Sequence, residues 1–363
     1  MKKLGEIAEV KTGSKDTQNK VDNGMYPFFV RSNTIEKINT YSYDGEAILT
    51  SGDGVGVGKN FHYINGKFDF HQRVYSIRNF KIGYDGKYIY NIFSEKFYDR
   101  VIRLSAKNSV DSVRMNMISE MKISFPMFNE QLKIASFLTK IGDRIQTQKK
   151  IIEDLHITKK EISFKLFKEG FNSSETKKEN FQKLGDLTYI VSKKNKENLK
   201  LPVYSINNKK GFLSQAEQFE GIDSDERGYD ISLYKIIEKE TFAYNPARIN
   251  VGSIGYSRNL ENIIISSLYV CFKTTDAVDD EFLFQYLRTD IFRKEVLRNV
   301  EGGVRDYLFY ENFSRIKINL PDLKEQIKIA KLLSKFDEKI TLENELLIQY
   351  VNQKKYLLQN LFV

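Results

Sequence analysis

From Ile134 onward, apolar or tolerated residues recur in alternating steps of four and three: Ile134, Leu138, Ile141, Ile145, Gln148, Ile152, Leu155, Lys159, Ile162 and Leu166. The same rhythm returns at Ile329, Leu333, Phe336, Ile340, Glu343, Leu347, Tyr350, Lys354, Leu357 and Leu361. A period of 3.5 sustained over about five heptads predicts a long helix paired with another long helix, because docking on a domain face alone calls for a period nearer 3.6. Both seams are interrupted at matching places, Gln148 with Glu343 and Lys159 with Lys354. Laid antiparallel and centred, the two helices would bring Gln148 near Glu343, and such polar pairing sets register. A helix of about 39 residues would be roughly 58 Å long, a spacer with a globular segment at each end.

The helices are copies of one another. A constant offset of 195 aligns Pro126–Phe167 with Pro321–Phe362, with identical residues at 13 of 42 positions, densest in Glu130-Gln131-Leu132-Lys133-Ile134-Ala135 against Glu325-Gln326-Ile327-Lys328-Ile329-Ala330. The parts before the helices repeat more loosely. Lys3-Leu4-Gly5-Glu6-Ile7 answers Lys183-Leu184-Gly185-Asp186-Leu187, and Pro27-Phe28-Phe29 answers Pro202-Val203-Tyr204. Tyr88–Phe93 resembles Phe282–Leu287, both reading as a short helix, whereas the middles differ. The organisation predicted is a first α/β domain over 1–127, a helix over 128–168, an exposed linker over 169–182, a second domain over 183–322 and a second helix over 323–363. This is a mixed α/β fold: two globular domains, two long helices in an antiparallel coiled coil and a pseudo-twofold internal repeat.

Short β-branched and aromatic runs broken by Gly, Asn and Asp, such as Ala47–Thr50 and Asn262–Thr274, predict strands in both domains. Between them, Ser51-Gly52-Asp53-Gly54-Val55-Gly56-Val57-Gly58-Lys59 has the look of a phosphate loop. It fails that test, since Asp53 stands five residues before Gly58 and Asn60 follows Lys59 where Ser or Thr would hold magnesium. Its GxGxG spacing and the strand-like segment behind it also exclude a dinucleotide fingerprint. Two readings stay open, a structural glycine turn and a close backbone approach to phosphate with Lys59 as the charge.

Asn245-Pro246-Ala247-Arg248 approaches the Asn-Pro-Pro-aromatic motif of adenine methyltransferases, but Ala247 and Arg248 break it. Pro321-Asp322 lacks the Glu-x-Lys of a nuclease site and reads as a helix entry, capped by Asp322 or, in the other copy, Asn129. His62, His71 and His156 share no ligand spacing. No catalytic constellation emerges, and a non-catalytic chain is expected.

Composition enters here. The formal charge is +9 with 57 Lys and Arg against 48 Asp and Glu, which favours an acidic partner, nucleic acid first. Cys271 is the one cysteine, so disulfides are excluded and a reducing, cytoplasmic compartment is expected. Neither a signal core nor a run of about 18 apolar residues occurs, so no membrane role is expected. The side chains suited to duplex DNA are Arg31, Asn33, Lys59, Arg73, Arg78, Lys107, Asn108 and Arg114 in the first domain. In the second they are Asn207, Asn208, Lys209, Lys210, Arg248, Asn250, Arg258 and Arg305. Arg reads guanine bidentately and Asn reads adenine.

The two Pro-x-x-x-Glu-Gln-x-Lys-Ile-Ala-x-x-Leu segments, each opening a heptad helix, resemble those of type I restriction-modification specificity subunits, and the resemblance covers the whole chain. The Lys-Leu-Gly openings and the Asn245–Ile249 and Gly252–Gly255 stretch resemble that family too. It implies two target recognition domains that read the two halves of a split, asymmetric site in double-stranded DNA, with the helices setting the gap. It further implies two methyltransferase subunits and restriction subunits as partners, which would carry S-adenosylmethionine, ATP and magnesium; no cofactor is expected on this chain. The specificity subunit of a fused type II system and a coiled-coil scaffold without a DNA role are the alternatives.

Overall fold

A computed structural model describes residues 1–54, 56–104, 112–169, 180–218, 230–301 and 306–361 of the chain. It divides into two compact units, residues 1–150 with 345–363, and residues 151–344. Each holds one globular domain and a stretch of both long helices.

In the first unit the short strand β1 (Lys2–Lys3) runs into the single-turn helix α1 (Leu4–Ile7). Strands β2 (Glu9–Thr12), β3 (Tyr26–Phe29), β4 (Ile35–Ile38), β5 (Tyr43–Ser51), β6 (Phe61–Phe70) and β7 (Val74–Arg78) follow. Helices α2 (Gly86–Leu104) and α3 (Met115–Ser119), strand β8 (Lys122–Ile123) and the start of the long helix α4 (Phe128–Glu169) complete the domain. The sheet order is β2-β7-β5-β6-β3-β4, with β3 parallel to β6 and the remaining pairs antiparallel. Along β5 the side chains alternate between two cores, as a period of two requires. Ile48 joins α1, α2 and Ile77 in one, while Ala47 and Leu49 join Phe29, Phe68 and Phe70 in the other.

The β5–β6 ribbon doubles back. Tyr43 pairs with Phe68 at one end and Thr50 with Phe61 at the other, yet four residues past Phe70 the chain pairs Val74 with Ser51. So short a connection closes only if the ribbon folds sharply. The fold falls at the directly paired Gly45 and Gly66, with φ of 147° and 142°, a region side chains beyond glycine avoid.

The second unit repeats this plan: β9 (Phe181–Lys183), α5 (Leu184–Leu187), β10 (Thr188–Ile190), β11 (Val203–Asn207), β12 (Gly211–Ser214) and α6 (Gln215–Gln218). Then come β13 (Lys235–Ile237), β14 (Phe242–Tyr244), β15 (Ile254–Tyr256), β16 (Ile263–Ile265) and β17 (Val270–Thr274). Helices α7 (Asp280–Leu287), α8 (Asp290–Asn299) and α9 (Tyr310–Phe313), strand β18 (Lys317–Asn319) and the long helix α10 (Leu323–Asn360) end it. Its strands form two four-stranded sheets, β10-β17-β14-β15 and β12-β11-β16-β13. The first domain's continuous ribbon is here cut in two, β13 pairing β16 and β14 pairing β15. The Asn262–Thr274 run, whose residues signal strand, accordingly holds two strands, separated by residues 266–269. Cys271 is buried in the core of this domain, and burial raises its thiol to about 11.

Matching contacts explain the repeated motifs. Gln131 Nε2 donates to the carbonyls of Gly83 (3.1 Å) and Pro126 (3.0 Å), and its Oε1 accepts from Asp85 N–H (3.1 Å). Gln326 repeats the set with Ala277 (3.3 Å), Pro321 (2.9 Å) and Asp279 N–H (2.8 Å). Each buried amide thus locks the start of a long helix to the turn that begins α2 or α7. The Lys-Leu-Gly openings have a steric cause: a Cβ on Gly5 or Gly185 would come within 2.9 or 2.8 Å of Ser119 or Ser314 Cβ.

The first turns of the long helices are both docked and paired. Ala135 and Leu138 lie in the first domain's core together with Leu358 from the far end of α10. Ile329, Ala330 and Leu333 lie in the second domain's core with Phe167 from the far end of α4. Within each unit the helices therefore run antiparallel. The seam is corrected at its ends, where Phe167 and Leu358 are buried while Leu166 is half-buried and Leu361 exposed. The corner of each domain core, and no longer the partner helix alone, selects the inward face there. Asp322 Oδ1 accepts from Glu325 N–H (2.9 Å) and caps α10, but Asn129 is already inside α4 and does not cap it. The segment expected as linker ends in β9, which pairs with β18; residues 170–179 lie outside the described residues. Ile141, Ile145, Gln148 and Ile340 are buried; Ile134, Ile152, Leu155, Ile162, Phe336, Glu343, Leu347, Tyr350 and Leu357 are half-buried.

Candidate nucleic-acid interface

Because the first domain's ribbon folds back, four separate segments meet at one edge. Gly52 N–H donates to Arg73 O (2.7 Å), Val113 N–H to Gly52 O (2.7 Å), and the buried Asn60 amide to Arg31 O (3.0 Å). The glycine-rich segment is therefore a packed turn. A Cβ on Gly56 would overlap the Asn60 side chain at 1.8 Å.

Asp53 is the centre of this edge. Its Oδ1 lies 3.4 Å from Arg31 Nη1 and its Oδ2 3.8 Å from Arg73 Nε. Asn33 and Arg114 are exposed in adjacent segments, Asp53 forming a backbone bridge with Ser112 beside Arg114. Below Arg73, the buried His71 accepts the Arg73 N–H at Nδ1 (2.9 Å). Burial, then the Arg31 charge, holds its imidazole below the ordinary value, so it stays neutral. Lys59 reaches over the Tyr98 ring on α2, 4.7 Å from its centroid. Arg78 is committed elsewhere: its Nε donates to Glu9 (3.1 Å) and its guanidinium covers Tyr43. Lys107 and Asn108 lie outside the described residues.

The second domain builds the same edge from the corresponding loops. Asn207 Oδ1 accepts from Lys209 N–H (2.8 Å) and Lys210 N–H (3.2 Å), making the β11–β12 turn and leaving Asn208, Lys209 and Lys210 exposed. The 245–253 loop lies against that turn. Ser253 Oγ donates to Ile206 O (2.7 Å), and a Cβ on Gly252 would sit 3.7 Å from Asn208 O. Arg248 is exposed and Asn250 half-exposed on this loop. Leu308 N–H donates to Pro246 O (3.1 Å), the counterpart of the Val113 to Gly52 bond. Arg258 is held by Glu281 through two bonds of 3.1 and 2.8 Å and is committed within the domain. Arg305 lies outside the described residues.

The sequence reading thus named most side chains of both edges but missed Asp53, whose signal was its place between two glycines of a tight loop. It also could not separate Arg78 and Arg258, whose carboxylate partners are remote in sequence. Among the described residues no group of three or more His, Cys, Asp or Glu could hold a metal ion. No helix there is long and apolar enough to cross a membrane.

Residues 1–156 and 177–351 match the model of the type I restriction modification DNA specificity domain. The EcoDI specificity subunit of a type I restriction enzyme from Escherichia coli is 25% identical over 152 residues, 42% of this chain and 33% of that protein. The MjaIX specificity subunit from Methanocaldococcus jannaschii is 23% identical over 290 residues, 72% of this chain and 64% of that protein. Each match spans less than two thirds of the relative's length. The crystal structure of the S subunit of a type I restriction-modification system from M. genitalium superposes with a TM-score of 0.68 at 17% identity, covering 100% of this chain and 95% of that one. A chain from a structure of complex assembly and conformational transition of the type I R-M system gives 0.57 at 12% identity, covering 99% and 96%. The two structural likenesses are of fold, and the domain model matched over most of the chain shows that it belongs to the type I restriction modification DNA specificity family.

Proposed function

We propose that this chain is the DNA sequence-specificity subunit of a type I restriction-modification complex and carries no chemistry of its own. The observation that carries the reading is the duplicated family match on a chain that presents the same edge twice with different side chains. Arg31, Asn33, Arg73 and Arg114 furnish one edge; Asn208, Lys209, Arg248 and Asn250 furnish the other. Two domains reading unlike half-sites in double-stranded DNA make a bipartite, asymmetric target. Two methyltransferase subunits and the restriction subunits are the partners, and they hold S-adenosylmethionine, ATP and magnesium.

Methylome sequencing of the host with and without the gene tests this. Loss of methylation at a motif with two unlike halves around an unread gap is expected. A continuous palindrome, or an unchanged methylome, overturns it.

A further inference from the structure

Arg31 and Arg73 belong to different loops, yet they approach opposite oxygens of one carboxylate, Arg31 Nη1 at 3.4 Å and Arg73 Nε at 3.8 Å. Resting on the specificity reading above, we propose that Arg73 is a guanine-reading residue of the first domain and that Asp53 is the residue that positions it.

The argument is geometric. Arg73 faces Asp53 with Nε, the nitrogen at the inner edge of its guanidinium. Its terminal Nη1 and Nη2 therefore remain a parallel pair of donors on a side chain that is 66% exposed. That end-on fork is the group that matches O6 and N7 of guanine in the major groove. The backbone carrying it is tied at both sides, its N–H donating to the buried His71 and its carbonyl accepting from Gly52. Arg31 approaches the other Asp53 oxygen through Nη1. One carboxylate between two guanidiniums leaves the cluster with one net positive charge, so it is attracted to DNA. The carboxylate also repels phosphate at close range, which turns the fork towards a base edge and away from the backbone. Among the described residues the second domain's edge is furnished instead with the Asn208 and Asn250 amides and the Lys209, Lys210 and Arg248 charges, so the guanine-reading fork is assigned to the first domain.

The test uses the full chain assembled with its methyltransferase subunits, comparing wild type, Arg73→Lys and Asp53→Asn. Binding is measured on duplexes in which each base of each half-site is varied, and as a function of salt. Arg73→Lys keeps the charge and loses the fork. It is expected to reduce the preference for guanine at one position of one half-site by about tenfold or more, with the salt slope and the other half-site unchanged. Asp53→Asn adds one net positive charge while releasing the fork. It is expected to tighten non-specific binding and, in the opposite direction, to weaken the same guanine preference by about tenfold. A general folding defect would lower both together.

Retention of every guanine preference by Arg73→Lys overturns the assignment, as does parallel weakening of both half-sites and of non-specific binding by Asp53→Asn. In either case wild type still reads two half-sites, so the specificity reading stands. Absence of any base preference in wild type overturns the specificity reading itself and the inference with it.

Discussion

The two domains turn the same corner with different chemistry. In the first, β5 and β6 fold over the paired Gly45 and Gly66 without interrupting the ladder. In the second, the ladder breaks between Ile237 and Phe242 and between Tyr256 and Ile263, and three non-glycine residues there adopt positive φ: Glu240 at 57°, Arg258 at 49° and Asn262 at 57°. Hydrogen bonds stabilise that corner. Glu240 N–H donates to Arg258 O (2.9 Å), Thr241 N–H to Ser257 Oγ (2.9 Å) and Ser257 Oγ to Glu238 O (3.0 Å). The corner is met by backbone freedom in one copy and by a hydrogen-bonded break in the other, and the two sequences differ there. What stays constant is what either solution achieves, two loops brought to one edge. The helix entries behave oppositely. Gln131 and Gln326, themselves buried, each bond three backbone groups, two carbonyls and one N–H, a task that no other side chain of that size performs, and the residue is the same in both copies.

This contrast between a fixed frame and an interchangeable corner can be broken most forcefully at the glutamines. Gln131→Leu and Gln326→Leu should each cost about 2–3 kcal/mol, since two carbonyls and an N–H lose their partner at once. Chemical unfolding of the two variants measures it, and costs differing by more than about 2 kcal/mol would show that the frame is not equivalent.

At the corner, Gly66→Val should cost about 2 kcal/mol from backbone strain alone, because nothing lies within 4 Å of the added Cβ. Glu240→Gly in the second domain should leave stability unchanged or raise it by up to about 1 kcal/mol, as relief of a left-handed residue offsets the entropy that glycine adds to the unfolded chain. A loss larger than about 1 kcal/mol in Glu240→Gly would mean that the side chain itself builds the corner.

The smallest effects concern the helices. Lys159 Nζ meets Asp337 Oδ1 at 2.6 Å, and Gln285 and Arg288 join the same carboxylate. Burial pushes the Asp337 carboxyl up, but the Lys159 hydrogen bond and charge, with Gln285 and Arg288, outweigh it and hold it below the usual range. Burial holds the Lys159 ammonium below its usual value, only partly offset by Asp337. A carboxyl lowered in the folded state stabilises above its unfolded value and loses that contribution as the pH falls through the lowered one. Asp337→Asn should therefore cost about 1.5 kcal/mol at neutral pH, and guanidinium midpoints of variant and wild type should converge in acid. The first unit keeps the lysine but not the acid: Lys354 stands beside Gly142, whose added Cβ would lie 3.7 Å from Nζ. Gly142→Asp should add up to about 1 kcal/mol through helix propensity and a new pair. A gain that survives at acid pH would assign it to propensity alone.

Much of this was legible in the chain because it depends on residues close together. The heptads of α4 and α10, the repeated openings and the strand around Ala47–Thr50 follow from local periodicity and propensity. The Lys159 interruption was also visible, though its resolution was not, because Asp337 is on the other helix, 178 residues away. Asn262–Thr274 showed its strand character, but not its division, because its hydrophobicity is continuous; the two strands part at 266–269 to pair with β11 on one side and β14 on the other.

The sequence by itself determined that there are two copies, where the long helices run, and that a charge excess favours an acidic partner. These follow from local periodicity, self-similarity and residue counts. Only the tertiary structure decided which cations are committed and which are presented. Arg78 and Arg258 differ from Arg31 and Arg73 in nothing local. Glu9 and Glu281 bind the first two by hydrogen bonds of 2.8 to 3.1 Å, while the folded ribbon sets Asp53 between the others at the longer distances of 3.4 and 3.8 Å. The strength of an ion pair depends on distance and burial, and for partners tens of residues apart both are fixed by the fold.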